Sequence, residues 1–180
     1  VLNPDWKLLY TAEYAKQDDY KDGNDNIDSH YARLGAGAQY GAWYARLDHE
    51  LLSSNDGVSA FQTPLGTNHL FQGWADQFLT TPRAGIADTF ISFGGKLMMD
   101  VQLTGEYHWI NSDEDLQDAG IGQGDSYGKE LDLAAAYSVG KWLGKAEYAR
   151  FQEDDVLTGA GANARKRDTE KVWLTVMYTF

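Results

Sequence analysis

Ionisable side chains recur at alternate positions in this sequence. Arg46, Asp48 and Glu50 form one run. Glu106 with His108, Glu130 with Asp132, and Lys145 with Glu147 form others, and Glu13 and Arg33 stand in similar settings. Residues two apart lie on the same face of an extended strand. Each run therefore puts its charges on one side of a strand. Such faces have two uses. Turned toward water, they line a polar pathway for small solutes. Turned toward one another, opposite signs pair into a ladder that holds the strands together. Residue type alone leaves both open.

Other chemistries find less support. His30, His49, His69 and His108 show no metal-ligand spacing, so no metal site is expected. The acidic stretch 18–28 fails the calcium-loop pattern. Counted from Asp22, position six is Ile27 instead of Gly and position twelve is Arg33 instead of Glu. His108 shares a face with Glu106, and His30 lies beside Asp28 and Ser29, yet nothing marks a nucleophile. The chain is read as non-enzymatic and without a cofactor. It has no cysteine, which excludes disulfides and thiolate chemistry. Its net charge of −12 argues against nucleic acid as a partner.

The elements that must carry these charges follow from the same alternation. Eight strands are predicted, over residues 6–15, 31–40, 43–51, 89–97, 101–109, 130–139, 142–150 and 171–180. Opposite the charged faces stand apolar ones, such as Leu8, Tyr10, Leu34, Leu47, Ile91, Leu133, Leu174 and Val176. The connections alternate in length. Those after strands two, four and six are short, with turns at Gly41, near Met98 and Met99, and at Gly140. Those after strands one, three, five and seven are long and rich in Asp, Asn and Gly, which are turn formers. The longest runs from 55 to 87, and a connection of that length is usually functional. Within it, residues 70–79 fit a short amphipathic turn or helix with Leu70, Phe71, Trp74 and Phe78 on one face.

Short turns at one rim and long loops at the other are the layout of a transmembrane β-barrel. The strands approach the roughly 9–11 residues that cross a bilayer. Mean hydropathy is −0.50, and no apolar run reaches the ~18 residues of a membrane helix. Neither fact bears on strands, where every second residue can be polar. Trp6, Tyr14, Tyr40, Trp43, Tyr107, Trp109, Tyr137 and Trp142 gather near strand ends, which suits interfacial girdles. The opposite orientation is a soluble, lipocalin-like barrel with its apolar faces inward around a ligand. The mixed charges of the polar faces favour the membrane form. The final residues, with Tyr178 and Phe180 on one face, resemble the carboxy-terminal insertion signal of bacterial outer-membrane barrels. No secretory signal is visible at Val1, as expected of a mature chain or a piece of a longer one.

A family resemblance rests on the stretch His69-Leu-Phe-Gln-Gly-Trp-Ala-Asp-Gln-Phe-Leu-Thr-Thr-Pro82 and its continuation through Asp88. Phe61-Gln-Thr-Pro-Leu65, the opening residues 5–14 and the tail 170–180 fit the same picture. These segments resemble the carboxy-terminal half of alginate-export outer-membrane proteins. The resemblance implies a larger barrel of about 16–18 strands, of which this chain would be part. The alternative is eight strands closing by themselves, with Gly35, Gly37, Ala134 and Ala136 leaving space inside. The family implies an anionic substrate, whereas the inward set here holds more carboxylates than cations.

The expectation is therefore a single all-β domain over 1–180, an antiparallel up-and-down transmembrane β-barrel with eight strands in this chain. Its lumen is lined by Glu13, Arg33, Arg46, Asp48, Glu50, Glu106, His108, Glu130, Asp132, Lys145 and Glu147. Phe71, Trp74, Asp76, Phe78 and Arg83 are candidates for a constriction loop. The expected role is a porin-like channel for small polar or anionic solutes in the bacterial outer membrane. Its partners are membrane lipid, lipopolysaccharide (with Arg165, Lys166 and Arg167 as phosphate contacts), the barrel-assembly machinery and the permeating solute. A small closed structural barrel with a filled lumen is the alternative within the same fold.

Overall fold

A computed structural model describes residues 5–21, 23, 25–64, 71–97, 100–154 and 168–180. His69, Leu70, Met98, Met99 and residues 165–167 lie outside the described residues, and the expectations placed on them stay untouched. The chain is all-β. Its long strands are β1 (Trp6–Asp18), β2 (Asp28–Tyr40), β3 (Trp43–Leu52), β6 (Ile86–Lys96), β7 (Val101–Asn111), β8 (Ser126–Val139), β9 (Trp142–Glu153) and β10 (Thr169–Tyr178). A two-residue pair, β4 (Ser54–Asn55) with β5 (Ser59–Ala60), lies inside the longest connection.

The eight long strands form one antiparallel sheet in chain order, each paired with its sequence neighbours. Short turns join β2 to β3 and β8 to β9, where Gly41 and Gly140 take positive φ of 56° and 58°, a conformation glycine adopts without a steric penalty. The third short connection is closed by Leu97 N–H donating to Val101 C=O at 2.8 Å. The long connections, including 53–85 and 112–125, all leave from the other rim.

Three expectations need correction. First, the sheet is open: β1 and β10 are its edges and do not pair with each other. Eight strands therefore do not close alone here. Second, several strands extend beyond the predicted bounds, mostly by two to four residues at the long-loop rim, as with β1, β2, β6 and β8. There the polar ends still pair in register; Lys16 faces His30, and Lys16 also bridges Asp18 at 2.7 Å. Third, residues 71–79 form bends and turns instead of a helix. Positive φ at Gln72, Gly73 and Asp76 interrupts any helical run. Phe71 is consequently exposed while Phe78 is buried.

The sheet is apolar on one face and polar on the other. Leu8, Leu34, Leu47, Val172, Leu174 and Val176 project outward and are exposed. Trp6, Tyr40, Trp43, Tyr137, Trp142 and Tyr178 form an exposed aromatic row at the short-turn rim, and the Trp6–Tyr40 and Trp142–Tyr178 ring centroids are 4.9 and 4.7 Å apart. Phe180 follows the last strand and is fully exposed, its ring 5.3 Å from Tyr178.

The buried apolar cluster sits on the polar face, at the long-loop rim. Leu52, Ile86, Ile110, Tyr127, Ala149 and Phe151 supply it from the strands, and Ala75, Phe78, Ala84, Leu116 and Ala119 from two loops. A bulge between Ile110/Gly128 and Asn111/Ser126 adds Tyr127 to β8. Such an extra residue kinks its strand and re-aims a side chain. Here the Tyr127 ring packs 5.3 Å from Phe78, and its hydroxyl donates to Gly85 C=O at 2.9 Å.

Candidate functional site

Below this apolar cap the polar face carries its charges. β2 and β3 contribute Arg33, Arg46, Asp48 and Glu50. Asp48 is buried and accepts from Arg46 Nε at 3.0 Å, from Arg46 Nη2 at 2.8 Å and from Arg33 Nη2 at 3.2 Å. Arg46 also donates to Thr11 Oγ1 at 2.7 Å. Gly35, opposite Asp48 in register, makes room for this knot: a β-carbon there would lie 2.1 Å from Asp48 Oδ1. Gly37 likewise accommodates Arg46. The space expected at these two glycines is therefore filled by neighbouring side chains.

Loop 71–84 lies over the polar face and is bonded to it. Gln72 Nε2 donates to Glu50 Oε2 at 2.7 Å, and Tyr31 Oη donates to Glu50 Oε1 at 2.7 Å. Trp74 donates from its main chain to Asp132 Oδ2 at 3.3 Å and from its indole to Glu106 Oε2 at 3.1 Å. Ala75 N–H donates to Glu130 Oε1 at 2.5 Å. Lys171 on β10 pairs with Asp76 at 3.3 Å. Thus β3, β7, β8 and β10 all hold the same loop. A cavity of about 200 Å³ persists beside it, lined by Glu13, Tyr31, Glu50, Phe61, Phe71 and Gln72.

The centre of the face is an imidazole among carboxylates. His108 Nδ1 lies 2.8 Å from Asp88 Oδ2, and His108 Nε2 lies 3.5 Å from Glu106 Oε2 and 3.6 Å from Asp132 Oδ2. The ring stacks on Phe90 at 4.7 Å, and Arg33 covers the other region of Phe90 at 5.3 Å. Registry makes the crowding acute. Glu50 faces Asp88 across β3–β6, and Glu106 faces Asp132 across β7–β8. Like charges directly opposite are destabilising, so cations or donors are required between them.

Of the expected lining set, Arg33, Arg46, Asp48, Glu50, Glu106, His108, Glu130 and Asp132 are brought together. Lys145 pairs with Glu147 at 2.6 Å, nearer the short-turn rim. Glu13 is exposed on the edge strand β1, opposite Arg33 in register and beside the cavity that Tyr31 and Glu50 also line. Among the loop candidates, Trp74, Asp76 and Phe78 engage the wall. Arg83 is exposed and donates to Gly120 C=O at 3.3 Å.

Asp88 and Gln72 escaped the sequence reading. A strand starting at 89 leaves Asp88 out, although its alternation with Phe90 and Ser92 carries the signal and the strand in fact begins at Ile86. Nothing local identifies Gln72 as a partner of Glu50. The chain matches no family model, no curated protein and no solved structure with which it was compared.

Proposed function

We propose that this chain is part of the wall of an outer-membrane β-barrel, a passive porin-like channel for small polar solutes whose bore is narrowed by loop 71–84. The observation that carries this reading is the inverted burial of the sheet. Leu174 and Val176 are 80% and 74% exposed, whereas Asp88, Glu130 and Asp132 are 0% exposed. In water that arrangement is costly, because apolar area favours burial at about 25 cal/mol per Å². Against hydrocarbon the outward face costs nothing and the polar face becomes the wet or paired interior. A lipocalin-like barrel needs the reverse.

The open edges support a larger barrel. An unpaired strand edge in lipid leaves several kcal/mol of unsatisfied backbone at each group, so β1 and β10 require further strands beside them. The acidic wall favours neutral and cationic solutes over anions, which separates this chain from the anionic cargo implied by the resemblance. Planar-bilayer recording of the complete barrel, with the strands that flank β1 and β10 in place, tests the proposal. Discrete conductance steps with a reversal potential favouring cations are expected. A correctly inserted protein that passes no current leaves the second reading, a structural barrel, for which the tightly bonded loop already speaks.

A further inference from the structure

We propose that Glu106, His108 and Asp132 bind one divalent transition-metal ion of the zinc class. The three donor atoms, Glu106 Oε2, His108 Nε2 and Asp132 Oδ2, lie within 4.8 Å of one another. Bonds of about 2.1 Å in tetrahedral geometry put donors roughly 3.4 Å apart. The two histidine–carboxylate separations, 3.5 and 3.6 Å, already match that spacing.

An acidic cluster alone would not suffice. The independent observation is His108 Nε2 itself, which is buried at 3% exposure, points between the two carboxylates and has no hydrogen-bond partner. Nδ1 lies against Asp88, so Nε2 is the nitrogen that faces Glu106 and Asp132, and it is the atom a metal would take in place of a proton. The outer contacts complete the pattern. Metal-bound histidine ordinarily donates its other nitrogen to a carboxylate, and ligating carboxylates are themselves hydrogen-bonded. Here Trp74 donates to both carboxylate oxygens, from its indole and from its main chain. Phe90 fixes the plane of the imidazole. A dication also answers the like-charge juxtaposition of Glu106 and Asp132 across β7–β8. One imidazole with two carboxylates suits zinc or manganese better than calcium, which prefers six to eight oxygens. The site is independent of whether the outer face meets lipid.

The test uses the full chain, stripped with chelator and folded in detergent micelles, titrated with Co²⁺ as a spectroscopic probe and with Zn²⁺ in competition. One equivalent of Co²⁺ is expected, with visible d–d absorption that Zn²⁺ abolishes and Ca²⁺ does not. Asp88→Asn is expected to weaken Zn²⁺ about 10–100-fold through the histidine, and His108→Gln to remove the Co²⁺ band. Glu106→Gln, at a half-buried position, guards against variants that fail to fold; each variant is checked by far-UV circular dichroism. Folded wild-type protein that takes up no Co²⁺ or Zn²⁺ overturns the proposal. So does binding unchanged in folded Glu106→Gln and His108→Gln.

Discussion

Ala75 N–H meets Glu130 Oε1 in a buried hydrogen bond that joins residues 55 apart in the chain. Beside it, Gly73 sits so close to the same carboxylate that a β-carbon would lie 2.4 Å from Glu130 Cδ. Loop and strand are thus fitted to each other at one carboxyl group. Gly73→Ala meets both this contact and the positive φ of 86° at that residue. A loss of about 1–3 kcal/mol is expected, with loop 71–84 becoming cleavable in limited proteolysis while the sheet remains intact.

Tyr127→Phe isolates the cap. The hydroxyl is the buried donor to Gly85 C=O, and its removal leaves that carbonyl unsatisfied. A drop of about 1–3 kcal/mol is expected in a denaturant titration. A loss well below that range would mean that water replaces the hydroxyl.

Asp48 is held by two guanidiniums, so their effects should not add. Arg33→Gln and Arg46→Gln each leave one cation on the buried carboxylate. The double variant leaves none, and breaking a buried pair entirely costs about 3–5 kcal/mol. Unfolding of the two single variants and the double one should show a coupling of about 0.5–3 kcal/mol. Simple additivity would place Asp48 in a wetter setting than its burial implies.

The outward face offers a direct test of its solvent. Leu174→Arg changes an exposed side chain that touches little protein. In water such a change is worth within about 0.5 kcal/mol. In a bilayer an arginine near the midplane costs about 2–4 kcal/mol. Folding into lipid vesicles, compared with the original protein, should show the larger penalty.

Trp74 ties the loop to Glu106 and Asp132 at once. Trp74→Ala keeps the main-chain donor but removes the indole and its packing. Higher single-channel conductance is expected in bilayer recordings, because the loop then yields part of the bore. An unchanged conductance would put the narrowest point elsewhere.

Strand existence, the split into a greasy and a charged face, and the sorting of short and long connections were all legible in the sequence. Those are local properties: a period of two and the turn chemistry of Gly41 and Gly140 need no distant partner. Register, closure and loop path were not legible. That Asp88 reaches His108, that Gln72 reaches Glu50, and that β1 and β10 stay apart depend on contacts between residues far apart in the chain. The energies of such contacts come from burial and from pairing charge against charge, and no single segment contains both partners. Hence alternation alone could name most of the charged wall, and only the tertiary structure decided which of its groups touch, which the loop covers, and which nitrogen faces two carboxylates without a hydrogen bond.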